Sequence, residues 1–305
     1  MIKVFGHTSP DTDATLSAIA WAWYLTEVRG TPATPFVLGT PNTEAAFLLG
    51  HWGLDAPALL GEIAAGDRVV IVDTNNPAEL PASIDAAEIM EIVDHHRLVG
   101  GLKTAAPITV TIRPLACTAT ILHDRMGTDL ARAPRAIRGA MLSAILSDTL
   151  AFRSPTTTPH DRAVAEALAA DLGVAIPELA DAMFAAKSDV SAFSDAALLR
   201  MDSKEHEVAG RRLRVSVLET TAPRVLLDRK AGLMAAMPGV AAEDGADEVL
   251  LFIVDILNEE ATLLVPNGVV KAIAEASFPC TVAGDTVVLP GVMSRKKQII
   301  PALTL

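Results

Sequence analysis

Histidine and aspartate residues follow four short apolar runs, and their side chains are of the kind that binds divalent metal ions. The four segments are residues 6–13, 72–75, 94–96 and 147–149. Between them they supply His7, Asp11, Asp13, Asp73, Asp94, His95, His96 and Asp148. Carboxylate and imidazole ligands suit ions such as Mn²⁺ or Co²⁺ better than a thiolate-loving ion. The set is large enough to hold two divalent metal ions side by side.

An alternation of strand and helix patterns must position these segments. Short β-branched runs at residues 2–5, 34–38, 68–72, 88–93 and 108–112 predict strands, and patterns at residues 13–29, 44–52 and 133–150 predict helices. Such alternation is typical of an α/β fold with a mostly parallel sheet and helices on both faces. In these folds, ligands bind beyond the carboxyl ends of the strands. Because His7, Asp73 and Asp94 each follow such an end, the fold would bring them together.

The spacing of the candidate ligands indicates how two metal ions would be shared. Asp11 and Asp13 lie two residues apart, so on extended backbone they share a side and each could reach a different ion. Asp73 could bridge the two ions with its two oxygens. Ions about 3.5–4 Å apart can hold a hydroxide and polarise a phosphoryl group for in-line attack. His95 and His96 point opposite ways on extended backbone, so one would bind metal while the other faces substrate.

Each of these residues also has an ordinary structural interpretation. An aspartate after a strand is usually a turn residue or a helix cap, and Asp11 and Asp73, each taken by itself, fit that description. Isolated surface histidines usually carry no chemistry, which is our interpretation of His51, His123, His160 and His206. The metal interpretation is favoured because four such segments fall at one edge of the predicted sheet.

The second half of the chain predicts a smaller α/β domain. We expect a metal-binding domain at residues 1–187, a polar linker at residues 188–194 and the second domain at residues 195–305. In that domain, strands are predicted at residues 212–218 and 249–257, a helix at residues 223–237, and a paired strand at residues 260–265.

Basic residues near the carboxyl terminus form a second candidate site. Arg295, Lys296 and Lys297 lie between two apolar segments, unlike a long solvated tail. An arginine fork and lysine point charges together suit a multiply charged phosphate. Lys204 is a further candidate cation, although its position fits an exposed helix surface equally well.

The composition excludes several classes of protein. The 305 residues carry a formal net charge of −12 and are half apolar, which argues against a nucleic-acid coat and against disorder. The two cysteines lack zinc-binding spacing, no apolar stretch is long enough to span a bilayer, and the amino terminus leaves no room for a signal peptide. We therefore expect a soluble cytoplasmic protein that binds neither nucleic acid nor membrane.

The complete motif set resembles that of a known superfamily. The motifs Gly6-His7, Pro10-Asp11-Thr12-Asp13, Val72-Asp73, Asp94-His95-His96 and Ser147-Asp148-Thr149 resemble those of the DHH phosphoesterases. With Ser294-Arg295-Lys296-Lys297-Gln298 added, the chain is similar to the family II (manganese-dependent) inorganic pyrophosphatases. The resemblance covers essentially the whole chain, and it implies two domains with the active site in the cleft between them.

The resemblance implies that residues of the first domain bind two Mn²⁺ ions. The ligands would be His7, Asp11 and Asp73 for one ion, and Asp13, Asp73, His95 and Asp148 for the other. Co²⁺ is a plausible replacement for Mn²⁺, and Mg²⁺ would arrive with the pyrophosphate.

The resemblance also implies which residues contact the phosphates. His96 would touch phosphate and protonate the leaving group, while Asp94 would orient a histidine rather than bind metal. Lys204, Arg295 and Lys296 would bind the phosphates from the second domain. A homodimer, formed through the first domain, is implied as well.

The chain departs from the family pattern at one visible place. Many members carry His-Asn-Glu after the strand-end aspartate, whereas this chain has Thr74-Asn75-Asn76. Because these residues are not metal ligands in the family, we expect a change in the contacts that support the ligands rather than a change in function. The gap from Asp73 to Asp94 is too short for the regulatory nucleotide-binding insert of some members, so we expect no adenine-nucleotide control.

The sequence therefore predicts an inorganic pyrophosphatase that hydrolyses diphosphate to two orthophosphates. A short-chain polyphosphatase has similar charge requirements and stays open as an alternative. Nucleases and phosphodiesterases of the superfamily typically carry a Gly-rich motif in the second domain, whereas the glycines here are scattered. A non-catalytic metal- or phosphate-binding module is disfavoured because His96 provides an imidazole beyond those needed as ligands.

Overall fold

The structure is a computed structural model that describes residues 1–304. The chain divides into two units, Met1–Lys187 and Ser188–Leu305. Residues 188–194 form neither helix nor strand. None of the helices within residues 1–304 combines the length and the apolar character needed to span a bilayer.

A sheet of six parallel strands forms the centre of the first unit. The strands are β1 (Ile2–Phe5), β2 (Ala33–Val37), β3 (Ala58–Leu59), β4 (Arg68–Val72), β5 (Glu88–Asp94) and β6 (Thr109–Ile112). Their order is β3-β2-β1-β4-β5-β6, and each neighbouring pair is parallel. The mostly parallel sheet predicted from the sequence is confirmed. Because the strand order reverses between β1 and β4, their carboxyl ends flank the crevice in which such sheets bind ligands.

Three of the six α-helices described in the first unit begin at side-chain caps. The six are α1 (Thr12–Trp23), α2 (Thr43–Trp52), α3 (Thr118–Met126), α4 (Arg135–Asp148), α5 (Pro159–Leu172) and α6 (Ile176–Lys187). Asp11 caps α1 and Asn42 caps α2, each by accepting a hydrogen bond from a backbone N–H of the first turn. Thr158 and Asp161 form a capping box at α5. The helix predicted over residues 13–29 is shorter, since α1 passes into a π-helical turn at Tyr24–Val28.

Apolar side chains on the strands alternate between two clusters. On β4, Val70 and Val72 belong to a cluster that contains buried residues from all six helices. Val69 and Ile71 belong to the opposite cluster, which two short 3₁₀ helices and loops cover. This period of two is the expected consequence of the pleat in a strand buried on both faces. The rigid sheet fixes where each strand ends and therefore where the following polar residue lies.

The second unit is built on a mixed sheet of five strands. The strands are β7 (Ser203–Val208), β8 (Arg211–Thr220), β9 (Glu248–Asp255), β10 (Glu260–Leu264) and β11 (Thr286–Pro290). Their order is β11-β10-β9-β8-β7, with β8 and β9 parallel and the other pairs antiparallel. The helices are α7 (Asp195–Met201), α8 (Pro223–Leu227), α9 (Lys230–Asp244), α10 (Gly268–Ser277) and α11 (Ile300–Ala302). The smaller α/β domain predicted from the sequence is thus present.

Two predictions for the second unit are wrong in detail. The helix predicted over residues 223–237 is two helices, separated where the Arg229 side chain is held by the Asp195 carboxylate and the Val190 carbonyl. Strands β7 and β11 were not predicted, because edge strands rich in charged or exposed side chains lack the alternating apolar pattern of a buried strand. Lys204 consequently lies on a strand and not on a helix surface.

The contact between α2 and α4 depends on a glycine. A Cβ atom at Gly139 of α4 would overlap the indole ring of Trp52. We expect Gly139→Ala to lower the free energy of unfolding by about 1–3 kcal/mol, the usual cost of overpacking a core. Urea denaturation measures this change. The matched control is Gly50→Ala on α2, where a Cβ meets no other atom. That variant should be more stable by up to about 1 kcal/mol through helix propensity alone. Equal effects of the two variants would contradict this account.

Candidate metal centre

The carboxyl edge of the parallel sheet gathers the histidines and aspartates identified in the sequence. Strand β1 leads into His7, β4 leads into Asp73, and β5 ends at Asp94. Helices α1 and α4 bring their ends to the same edge. The side chains that lie together there are those of His7, Asp11, Asp13, Asp73, His95, His96 and Asp148. All seven sequence-predicted site residues of the first unit are therefore in one cluster.

Asp73 lies at the centre of the cluster, and each of its carboxylate oxygens faces a different histidine. Its Oδ2 lies 3.5 Å from Nε2 of His7, and its Oδ1 lies 3.4 Å from Nε2 of His95. Asp11 Oδ1 lies 3.6 Å from the same His7 nitrogen. The Asp73 side chain is only 1% exposed. A carboxylate placed in this way can bridge two cations.

The backbone of Asp73 is in an unusual conformation. Its φ of 61° falls in the left-handed region, which aspartate tolerates better than most residues. The Asp73 N–H donates to the Val93 carbonyl at 2.9 Å, and the Thr118 hydroxyl donates to Asp73 Oδ1 at 3.0 Å. Backbone and side chain are therefore both held. Conformations of this kind persist where the surroundings overdetermine them, and they cluster at functional sites.

His95 is oriented by a backbone carbonyl. Its Nδ1 lies 3.1 Å from the oxygen of Leu115, so Nδ1 carries the proton and donates. Nε2 then faces Asp73 and Asp148, at 3.4 and 3.7 Å from their nearest oxygens. A hydrogen bond that fixes the tautomer in this way is common behind metal-binding histidines.

Asp13 lies against the beginning of α3. Its two oxygens accept hydrogen bonds from the backbone N–H groups of Thr118 at 2.6 Å and Ala119 at 3.2 Å, and from the Ser17 hydroxyl at 2.6 Å. Donor atoms of Asp13, Asp148 and Cys117 lie within 4.8 Å of one another. Burial and the neighbouring carboxylates raise the pKa of the Cys117 thiol, which keeps it protonated. The helix terminus therefore fixes Asp13, and the two carboxylates rather than the protonated thiol are the candidate donors for a cation.

His96 occupies a more open position than His95. Its side chain is 52% exposed, and its Nδ1 lies 2.9 Å from Asp94 Oδ1. Asp94 is fully buried and also accepts a hydrogen bond from Asn75, which in turn donates to the carbonyl of Arg97 at 3.1 Å. The hydrogen bond between His96 and Asp94 raises the pKa of His96 above its ordinary value. Because Asp94 holds Nδ1, Nε2 of His96 is left as a proton donor on the accessible side of the cluster.

The electrostatics of the cluster favour a bound cation. Burial, together with the charge of Asp73, raises the pKa of Asp13 to about 7. Burial and the charges of Asp13 and Asp73 raise the pKa of Asp148 well above its ordinary value. These carboxylates repel each other, and divalent cations would remove that repulsion. Oxygen and imidazole donors in this number fit ions of the Mn²⁺ type.

The basic residues of the second unit also lie near one another. Arg295 and Lys296 begin a π-helical turn, Arg295–Ile299, which Ser294 caps. The Arg295 guanidinium donates to the Asp202 carbonyl at 2.8 Å and lies 2.7 Å from the Asp202 carboxylate. Burial and the charges of Arg295 and Lys204 lower the pKa of His206. Lys204 and Arg295 are thus close enough to act on one imidazole, which we had interpreted as an isolated surface histidine.

Several residues that shape the cluster were not identified from the sequence. Ser17 and Asn75 could have been found, since Ser17 follows Asp13 by one helical turn and Asn75 follows a strand end. Thr118 could not, because it reaches Asp13 across 105 residues of chain and no local pattern marks it. Thr74, at the departure from the family pattern, donates to Glu79 at 2.7 Å and does not touch the cluster through its side chain.

Two family models match the chain, one in each half. Residues 1–147 match the family model of the DHH family N-terminal domain, and residues 181–305 match that of the DHHA2 domain. A relative from Deinococcus radiodurans, named a probable manganese-dependent inorganic pyrophosphatase, is 42% identical over 99% of this chain and 98% of its own. A relative of the same name from Lactobacillus acidophilus is 37% identical over 99% of this chain and 97% of its own.

A solved structure resembles the whole chain. It is a crystal structure of a Methanococcus jannaschii protein assigned to the family II inorganic pyrophosphatases. The two chains are 32% identical, and the TM-score is 0.59. The similarity covers 99% of this chain and 98% of the other.

The histidines of the cluster make the stability of the metal-free protein depend on pH. Burial alone would lower their pKa values, but the neighbouring carboxylates of Asp11 and Asp73 raise the pKa of His7 to about 10. In the same way, Asp73 raises the pKa of His95 to about 9. A raised pKa contributes stability that is complete below the unfolded value of about 6.5 and is lost as pH rises through the folded value.

We therefore expect the Tm of chelator-treated protein to fall as pH rises from about 7 to about 9. Calorimetry measures the slope, which should be smaller in His7→Asn. The control is His51→Asn, which removes an exposed histidine of α2 and should keep the slope of the parent protein. A Tm that is constant or rises over this interval would contradict the assignment of protons to the cluster.

Proposed function

Because the chain belongs to the family II, manganese-dependent inorganic pyrophosphatases of the DHH superfamily, we propose that it hydrolyses diphosphate to two orthophosphates. The observation that carries the proposal is the placement of Asp73 between two histidines, with one oxygen toward each. A single bridging carboxylate of this kind is what a pair of adjacent divalent cations requires.

The metal ligands in this proposal are all side chains of the first unit. They are His7, Asp11 and Asp73 for one Mn²⁺, and Asp13, Asp73, His95 and Asp148 for the other. Bound Mn²⁺ supplies Lewis acidity, which polarises phosphoryl oxygens and lowers the pKa of water. Co²⁺ satisfies the same donor set, and Mg²⁺ accompanies the pyrophosphate.

The residues of the chain bind the substrate and move the proton. Water provides the oxygen of the new P–O bond and gives up one proton to the solvent, and the bridging oxygen of diphosphate leaves with its electron pair. His96 donates a proton to that leaving phosphate, since Asp94 holds its Nδ1 and raises its pKa. Lys204, Arg295 and Lys296 bind the phosphates and stabilise the charge that develops on their oxygens.

The decisive experiment measures phosphate release after the purified protein has been stripped of metal. Mn²⁺, Co²⁺, Zn²⁺ and Mg²⁺ are added back separately, with pyrophosphate, tripolyphosphate and a dinucleotide as parallel substrates. We expect fast release from pyrophosphate with Mn²⁺ or Co²⁺ and little with the other ions. A preference for tripolyphosphate would indicate a polyphosphatase, and binding of Mn²⁺ without turnover would indicate a binding module.

Three variants extend this assay, and one of them is a control. Asp73→Ala should lose Mn²⁺-dependent turnover, whereas Asp55→Ala, at an exposed position outside the cluster, should keep it. Arg295→Ala should reduce kcat by about 10²- to 10³-fold, the usual cost of removing one electrostatic stabiliser of a transition state. Full activity of Asp73→Ala would exclude the proposed site.

We also propose that the protein is a cytoplasmic homodimer formed through the first unit. Strand β6 ends the order of the sheet, and exposed apolar side chains lie on it and near it: Val110 (51%), Val99 (53%) and Leu98 (71%). An open apolar edge favours pairing with a second copy. The free thiols of Cys117 and Cys280, without zinc-binding spacing, suit a reducing compartment.

Sedimentation equilibrium tests the dimer. We expect twice the chain mass for the native protein and a shift toward the chain mass for Val110→Lys, because a charge on an edge strand opposes pairing. Val269→Lys, at an exposed position in the second unit, is the matched control and should remain dimeric. A native protein of single-chain mass would exclude the proposed dimer.

A further inference from the structure

A buried carboxylate outside the ligand set connects two of the segments that carry ligands. Glu44, in the first turn of α2, has no solvent exposure. Its Oε2 accepts one hydrogen bond from the Thr12 hydroxyl at 2.7 Å and another from the Ser147 hydroxyl at 2.6 Å. One oxygen atom therefore joins the beginning of α1 to the end of α4.

The two hydroxyl donors stand next to ligands in the chain. Thr12 lies between Asp11 and Asp13, and Ser147 immediately precedes Asp148. Donor atoms of Asp13 and Asp148 lie within 4.8 Å of each other. Two carboxylates at this separation repel, so helices α1 and α4 need an attraction that holds their ends together. The hydrogen bonds to Glu44 provide that attraction.

The charge of Glu44 is tolerated for two local reasons. The carboxylate is at the amino end of α2, where the helix dipole favours an anion. The Lys187 ammonium lies 3.6 Å from Oε2. Oε1 of Glu44 nevertheless has no hydrogen-bond partner among the described residues. A buried carboxylate that accepts hydrogen bonds on just one of its two oxygens contributes little net stability. An apolar side chain could fill the same space. What an apolar side chain could not do is connect Thr12 to Ser147.

We propose that Glu44 is a positioning residue for the metal centre. Through Thr12 and Ser147 it sets the separation of Asp13 and Asp148 before a cation arrives, so that both carboxylates are in place to bind the same ion. The inference rests on the proposed function only in requiring that the cluster binds Mn²⁺. Its effect is on metal affinity, and it acts through two other residues rather than by touching metal or substrate.

Calorimetric titration of Mn²⁺ into the stripped full-length protein tests the inference without reference to turnover. Thr12→Val and Ser147→Ala each remove one hydrogen bond to Glu44, and we expect each to weaken Mn²⁺ binding by about 10- to 100-fold, as for other groups that support ligands. The double variant should bind about as weakly as either single variant, because both hydroxyls act through one oxygen.

Two further variants separate positioning from general stability. Ser143→Ala removes a buried hydroxyl from the same helix, one turn earlier, where it accepts from Trp52 at 2.9 Å. It should lower Tm without changing Mn²⁺ affinity. Thr12→Ser keeps the hydroxyl and should restore the affinity that Thr12→Val loses. If Thr12→Val does not fold, Ser147→Ala with its Ser143→Ala control carries the test alone.

The outcomes distinguish this inference from the proposed function. If the wild-type protein binds Mn²⁺ and Thr12→Val and Ser147→Ala bind it equally tightly, the positioning role is wrong and the proposed function stands. If Ser143→Ala loses as much affinity as Ser147→Ala, the effect is one of stability and the positioning role is again wrong. If the wild-type protein binds no Mn²⁺, both the proposed function and the inference fail.

Discussion

The repulsion among three aspartates at one edge of a parallel sheet is the constraint on which the rest of this structure depends. Asp13, Asp73 and Asp148 come from separate elements. Donor atoms of Asp13 and Asp148 lie within 4.8 Å of each other, and Asp73 and Asp148 both face Nε2 of His95. Such an arrangement is unfavourable without a counter-charge, so the surrounding fold must oppose it. The buried sheet, the beginning of α3 and the carboxylate of Glu44 all hold these residues in positions that they would not adopt alone.

The three aspartates differ in their environment although they share a residue type. Burial would raise the pKa of Asp73, but hydrogen bonds to two histidines lower it below its ordinary value. Asp13 and Asp148 have no comparable pair of cationic partners, and their pKa values rise. In the metal-free protein the central carboxylate therefore remains charged, while the outer two share the available protons. The position that would bridge two cations is the one that the histidines already keep anionic.

Much of this centre could be predicted from the sequence because the parallel sheet imposes a simple rule. His7, Asp73 and Asp94 each follow a strand, and all strands of such a sheet end at one edge. The rule says nothing about contacts made across long stretches of chain, and so the hydrogen bond from Thr118 to Asp13 was not foreseen. Exposed edge strands are also difficult to predict, because they lack the alternating apolar pattern of a buried strand. The strand character of Lys204 became clear only from its pairing with Val215.

The segments that carry the candidate ligands lie far apart in the chain, and this separation determines when the centre can be complete during synthesis. His7 follows β1, whereas Asp148 lies much later in the chain, at the end of α4. A nascent chain on the ribosome lacks a complete centre until that helix has emerged and packed against α1. Contacts between distant segments form late in folding because closing long loops is costly. A cation that Asp148 helps to bind therefore cannot meet its full set of donors until α4 has packed against α1.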